Sequence, residues 1–247
     1  MRLNYGDLAV SLGTSDTLFL WLKEPILLPE GHILVNPLDH AAYMALLCFK
    51  NGSLSRERFR NEFANRSWDE FSQKLEKTPR GNFGYMGFFF DEQEIIPFVR
   101  GDYRFDAQNN PIKKFPSPEN EIRAMIEGQF IAKRAHAESL GFSIGPEHKI
   151  LVTGGASQNQ AIVQVLADVF NSPVYRIEAT NSAALGSAYM AKQGIRDRSV
   201  HNDPQAYFKE ITKSLSPPQL VCKPYSDANK IYTPMVDRYL TLIKTIH

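Results

Sequence analysis

The chain has 247 residues, 43% of them apolar and 22% charged, which is enough for a sizeable core and excludes a disordered chain. Its 28 basic and 27 acidic side chains leave a formal charge of +1, which excludes a broad attraction to nucleic acid or to a membrane surface. The two cysteines, Cys48 and Cys222, are far apart and lack metal-ligand spacing, so they read as reduced cytosolic thiols. No apolar run has the length to cross a bilayer, and the first ten residues hold no apolar core of a signal peptide. The expected compartment is the cytoplasm.

The N-terminal third reads as strands. Leu8 to Leu12 and Thr17 to Leu22 flank a small hydroxyl-rich turn, and His32 to Val35 and Tyr43 to Phe49 follow, bounded by Asn36-Pro37 and Asn51-Gly52. Residues 54–65 and 68–77 are charged and helix-like; Ser67 before Trp68, with Glu70 three residues on, spells a capping box. Residues 78–118 change composition: glycines, prolines and the aromatic stretch NFGYMGFFF predict an irregular insertion with short strands. Glu119 to Leu140 carries Ile122, Met125, Ile126 and Phe130 at helical spacing and is closed by Gly141. Lys149 to Val152 is a short buried strand, residues 157–171 a helix, Pro173 to Ala179 a strand, and Ser182 to Gln193 a helix. That alternation predicts parallel strands in an α/β sheet. A Pro-rich stretch, Ser216 to Pro218, precedes a final amphipathic helix from Asp227 to Ile246.

Two stretches have the makings of a phosphate site. In KILVTGGASQNQ a buried strand runs into Gly154-Gly155-Ala156 and then a helix, whose N-terminal amides and dipole suit a phosphate or ribose, with Asn159 in the first turn within reach of a base. Read alone, the same residues are also an ordinary strand-to-helix turn with Ser157 as the helix cap. The opening LGTSDT is likewise either a phosphate-gripping Gly13-Thr14 turn or a plain hairpin. Other features carry less: the glycines of GNFGYMG read as turns, Phe88 to Phe90 as core packing, His136 as a residue without metal partners, and RERFR (Arg56 to Arg60) as a solvated helix face.

Taken together, the hairpin with Gly-Thr-Ser and the later strand–Gly-Gly-Ala-x-x-Asn–helix resemble the nucleotide half of the actin/hexokinase-like ATPases. More narrowly they resemble the C-terminal domain of the FGGY carbohydrate kinases. SLGTSDT resembles the family's second phosphate motif and TGGASQN its adenosine motif. RAMIEGQFIAKR looks like its Arg-x-x-x-Glu-Gly helix, and NSAALGSAYMA like its final helix of small residues. Within the family, YMALLCFKNGSL, GNFGYMGFFFDEQEIIP and EGQFIAKRAHAESLGF resemble the animal-type xylulose kinases.

The resemblance implies a ribonuclease H-like α/β fold, with a mixed sheet and flanking helices. It implies a nucleotide-binding domain over residues 1–195, with the insertion at about 78–118, and a C-terminal extension over 196–247 whose last helix packs back on the domain. It implies ATP with Mg²⁺ as cofactors and D-xylulose as the substrate of the intact enzyme. By the same resemblance Gly13 and Thr14 face the γ-phosphate, Gly155 and Ala156 lie along the ribose and α-phosphate, Asn159 is near the adenine, and Trp68 borders the nucleotide. The family's catalytic aspartate, which takes the proton from the sugar hydroxyl, lies about twenty residues before Gly-Thr-Ser. MRLNYGD holds no such turn, and neither Asp7 nor Asp16 replaces that residue, so no catalytic residue and no protein ligand to a metal is assigned. The expectation is therefore a C-terminal kinase half, inactive without an N-terminal sugar domain. The alternative is a non-catalytic nucleotide-binding or interaction module.

Overall fold

In the computed structural model, which describes residues 3, 5–27, 31–142, 145–177, 182–197, 199 and 201–246, the apolar runs of the first third form a meander. Strands β1 (Leu8–Leu12), β2 (Asp16–Leu22), β3 (His32–Val35) and β4 (Tyr43–Phe49) lie where the apolar runs put them, β2 starting one residue earlier than expected. The β1–β2 hairpin closes at Leu12↔Asp16, β2 runs antiparallel to β4, and β3 takes the edge beyond β4. Asp16, Leu18, Leu20 and Leu22 are buried while the residues between them are half-buried, the two-residue period of a strand with one face on the core.

Helices α1 (Ser53–Phe63) and α2 (Trp68–Lys77) follow. Ser67 Oγ accepts from the Glu70 amide at 3.2 Å, but the capping box is only half formed: the Ser67 amide donates to the Ala64 carbonyl at 2.7 Å and the Glu70 carboxylate accepts from the Asn65 side chain. In the insertion, β5 (Met86–Phe90) and β6 (Gly101–Phe105) form a separate antiparallel pair. Then come α3 (Pro118–Ser139), β7 (Ile150–Thr153), α4 (Gln160–Phe170), β8 (Val174–Arg176), α5 (Ser182–Gly194), α6 (Pro204–Ile211), β9 (Gln219–Cys222) and α7 (Ala228–Leu242). The main sheet has the order β3-β4-β2-β1-β7-β8-β9, with β1, β7 and β8 parallel and β9 antiparallel to β8. Of the stretches read from sequence, Glu178 and Ala179, the end of one expected strand, and Asn181, the start of the small-residue motif, lie outside the described residues. The final helix ends at Leu242 rather than Ile246, the chain tightening there into one 3₁₀ turn, Ile243–Thr245.

Helix α3 is the hub, packed against β5, α1, α2, α4 and α7. Its Arg-x-x-x-Glu-Gly stretch has a local cause. Arg123 Nε meets Glu127 one turn on at 2.6 Å, and Gly128 lies so close to strand β5 that a Cβ there would strike the Gly87 carbonyl oxygen. The aromatic stretch supplies core: Phe88 meets Tyr239 edge-on at 5.3 Å and Phe89 meets Phe59 at 4.6 Å between ring centroids. His136 sits between Phe49 and Tyr239, and burial pushes its imidazole down to about 4. Gly128→Ala sets two effects against each other. Alanine favours a helix interior by about 1 kcal/mol, while forcing a methyl against fixed backbone costs about 1–3 kcal/mol. The clash wins, and a thermal melt should fall by about 2–8 °C; an unchanged or raised Tm would show that β5 yields freely.

Candidate functional site

Parallel pairing of β1 with β7, in the register Val10↔Val152 and Ser11↔Thr153, ends both strands at the same level. The Gly13-Thr14-Ser15 turn and the Gly154-Gly155-Ala156 loop therefore leave the sheet side by side. The carboxyl ends of parallel strands are where open α/β sheets take ligands. The approach is close: Gly154 has φ +89, and a Cβ there would fall 2.7 Å from the Leu12 carbonyl carbon. Its neighbour Gly155 is exposed, with nothing within 4 Å of its missing Cβ. One glycine faces backbone and the other faces open space.

The Gly-Gly loop continues as a 3₁₀ turn, Gly155–Gln158. Arg176, from β8, ties it down by donating to the Ser157 carbonyl through Nε at 3.0 Å and through Nη2. Ser157, the cap of α4 in the ordinary-turn reading, is not the cap. Ser157 Oγ instead donates back to the Gly154 carbonyl at 2.6 Å, and Asn159 Oδ1 accepts from the Ile162 amide at 3.1 Å. The extra 3₁₀ turn moves the start of the α-helix two residues along, which makes Asn159 the cap. Asn159 Nδ2 donates to Ser72 Oγ at 2.8 Å, and Ser72 Oγ donates to the Trp68 carbonyl at 2.9 Å. Asn159 and Trp68 are thus joined through one serine. Trp68 is half-buried, edge-on to Phe71 at 5.3 Å, with the Arg60 guanidinium 4.8 Å over its ring. Beyond the Asn159–Ser72 bond, the space between α2 and α4 opens into a cavity of about 300 Å³ lined by Thr78, Arg80, Arg123, Gln164, Asp168 and Tyr225 among others.

The other loop rests on a buried ion cluster. Asp16 and Arg56 have no exposed side-chain surface, and Arg56 holds both Asp16 oxygens at 2.9 Å. Lys133 Nζ lies 3.0 Å from Asp16 Oδ2. Burial alone would raise the Asp16 carboxyl, but the charges and hydrogen bonds of Lys133 and Arg56 hold it below the ordinary range. Asp16 is therefore held as an anion by two buried cations. Arg56, by contrast, overturns the reading of RERFR as a solvated face. The residue is fully buried because Arg56 and Phe59, three apart, share the inward side of α1.

The structure brings Gly13 and Thr14 beside Gly155 and Ala156, and links Asn159 to Trp68. Sequence reasoning missed Arg56, Lys133, Ser72 and Arg176. Only Arg56 carried a signal, its spacing from Phe59. Among the described residues no group of three or more His, Cys, Asp or Glu side chains is placed to hold a metal ion, and no helix is long and apolar enough to cross a membrane.

A family model described as the FGGY family of carbohydrate kinases, C-terminal domain, matches residues 8–193. The chain is 52% identical over 246 residues to the xylulose kinase of Mus musculus, a match covering 100% of this chain and 44% of that protein. It is 42% identical over 201 residues to xylulose kinase 2 of Arabidopsis thaliana, covering 76% of this chain and 36% of that protein. The solved xylulose kinase of Rhodospirillum rubrum superposes with a TM-score of 0.76 at 16% identity, covering 99% of this chain and 48% of that one, a likeness of fold. The chain spans less than half the length of these relatives.

Proposed function

Because the chain belongs to the FGGY family of carbohydrate kinases, matching its C-terminal domain, we propose that it forms the ATP-holding half of a xylulose kinase. The fold is that of the actin/hexokinase-like ATPases, a mixed sheet with flanking helices. One observation carries the reading: the parallel register of β1 and β7 sets a Gly-Thr turn against a Gly-Gly-Ala loop, as two-sided recognition of a polyphosphate requires. In this reading residues 1–195 are the nucleotide domain, 196–247 an extension, and the protein works in the cytoplasm. Gly13 and Thr14 meet the terminal phosphates, Gly155 and Ala156 the ribose and α-phosphate, and Asn159 with Trp68 the adenine.

In the intact enzyme a D-xylulose hydroxyl attacks the γ-phosphorus, its proton passes to a general base, and ADP leaves. These 247 residues supply nucleotide positioning. The base and most sugar contacts come from the half of the enzyme that the longer relatives carry in addition, so this chain alone transfers no phosphate. Asp16, the carboxylate beside the turn, is taken up by Arg56 and Lys133, so in this reading Mg²⁺ would be held mainly through the ATP phosphates.

Calorimetry with ATP and ADP tests the reading. The purified chain should bind both. Gly155→Val should abolish binding without moving the thermal melt, because a side chain at that position enters open space that the ligand needs. Asn159→Ser, which keeps a capping oxygen, should weaken binding about tenfold at little stability cost, whereas Asn159→Ala also loses about 1 kcal/mol of cap. A folded wild-type chain that binds neither nucleotide would sink the proposal. So would a Gly155→Val variant that binds like wild type. Turnover of D-xylulose by the chain alone would overturn its assignment as a half.

A further inference from the structure

The buried cluster beneath the Gly13-Thr14 turn is more than a filled core, because its hydrogen bonds end on the turn's own backbone. Arg56 Nη2 donates to the Gly13 carbonyl at 3.2 Å while the same guanidinium grips Asp16, so one side chain spans the turn from its first residue to the first residue of β2. Gly13 O also accepts from the Ser53 amide at 2.8 Å, and Thr14 O from the Gly52 amide at 3.2 Å. Helix α1 has no side-chain cap, and these two carbonyls take up amides at its start. The clamp is itself held. Arg56 Nη1 donates to Gln129 Oε1 at 2.9 Å, and Gln129 Nε2 donates to the Asn51 carbonyl at 2.8 Å. The buried Glu94 carboxylate accepts from the Lys50 and Asn51 amides at 2.7 and 3.1 Å.

A trans peptide is planar, with its N–H opposite its C=O. With the Gly13 and Thr14 carbonyls turned in toward α1, the Thr14 and Ser15 amides are turned the other way, away from the clamp. We propose that Arg56 is a positioning residue for the terminal phosphates of the nucleotide, acting by holding the Gly13 and Thr14 carbonyls inward so that the Thr14 and Ser15 amides face the ligand. The proposal rests on the nucleotide reading above and adds what that reading lacks, a means by which the turn discriminates a triphosphate from a nucleoside. Arg56 touches no substrate. Its effect runs through the backbone, and it depends on the planar fork of arginine, which lysine cannot reproduce.

The test is calorimetric titration of the whole chain with ATP, and separately with adenosine, for wild type, Arg56→Lys and Gly52→Ala. Gly52→Ala reaches the same carbonyls while leaving the Arg56 guanidinium in place: its methyl would fall 2.6 Å from Thr14 O and 2.7 Å from Gly13 O, and 3.0 Å from Asp16 Oδ1. Both variants should lose at least about tenfold in ATP affinity and stay within about twofold of wild type for adenosine. Should one variant fail a circular-dichroism check of folding, the other carries the comparison. ATP affinity that is unchanged, or that falls in step with adenosine affinity, overturns the positioning role while leaving the nucleotide site standing. Wild-type protein that binds neither ligand instead overturns the site reading, and this proposal with it.

Discussion

Glu127→Ala is expected to destabilise the protein by about 3–5 kcal/mol, read as a shift in the urea midpoint at unchanged m. Glu127 Oε1 accepts from Arg123 Nε at 2.6 Å, from the Tyr232 hydroxyl at 2.6 Å and from the Gly81 amide at 2.9 Å. Those donors come from α3 itself, from α7 and from the turn ahead of β5, so one carboxylate joins three parts of the chain. Removing it leaves the buried Arg123 charge without its counter-ion and two further donors without an acceptor. Breaking a buried pair from one side is the costly direction. Set against a total stability of about 5–15 kcal/mol, the loss is a large fraction. Glu127→Gln keeps an acceptor in place and should cost less. A loss below about 1 kcal/mol for the alanine variant would mean that water reaches Arg123 and replaces the carboxylate.

Gly154→Ala should cost about 3 kcal/mol, while Gly155→Ala, one residue along, should leave the melt within about 1 °C. Gly154 combines φ +89 with ψ 171, a region that side chains avoid, and its missing Cβ would lie 2.7–2.8 Å from Leu12 backbone atoms. Leu12 cannot retreat, because β1 is bonded to β2 on one side and β7 on the other. The strain therefore falls on the contact that holds the two loops together, and ATP binding should go with it. Gly155 lacks both features. Parallel melts of the two variants decide the matter; equal losses at both positions would show that the close approach of the two loops is not what makes Gly154 necessary.

Most of the frame was legible because it rests on local chemistry. Apolar runs bounded by turn residues placed β1 to β4, and Gly141 closed α3, whose Ser117 cap was not read from the sequence. The order strand, helix, strand gave the parallel pairing of β7 with β8, but the β1–β7 pairing that brings the loops together joins strands about 140 residues apart and no local order announces it. Among the elements missed were α6 and β9: α6 carried signals, Asp203 as cap before Pro204 and Tyr207, Phe208 and Ile211 at helical spacing, whereas β9 is four residues long and mostly exposed. The support of the site was harder to see. Arg56 sits in a charged run, and in sequence a charged run reads as solvated. The spacing of Arg56 from Phe59 points it inward, but the counter-ion that makes a buried arginine tolerable, Asp16, lies 40 positions away. Asn159 was singled out for a ligand contact, and its second duty as helix cap depends on a 3₁₀ turn that no residue in the stretch announces. Ser72 matters through the Asn159 side chain and Arg176 through the Ser157 carbonyl, partners met only across the fold, which residue types alone do not reveal.

The two halves of the site also come into being at different times. The Gly13-Thr14 turn lies within the β1–β2 hairpin and closes over a few residues, whereas its companion loop arrives only when β7 docks on β1 across about 140 residues of intervening chain. Closing so long a span must wait for much of the intervening structure, so a partly folded chain can carry a finished hairpin and still have no cleft. If the site is the nucleotide site proposed above, a chain halted before β7 docks should fail to bind ATP even where its helices are in place.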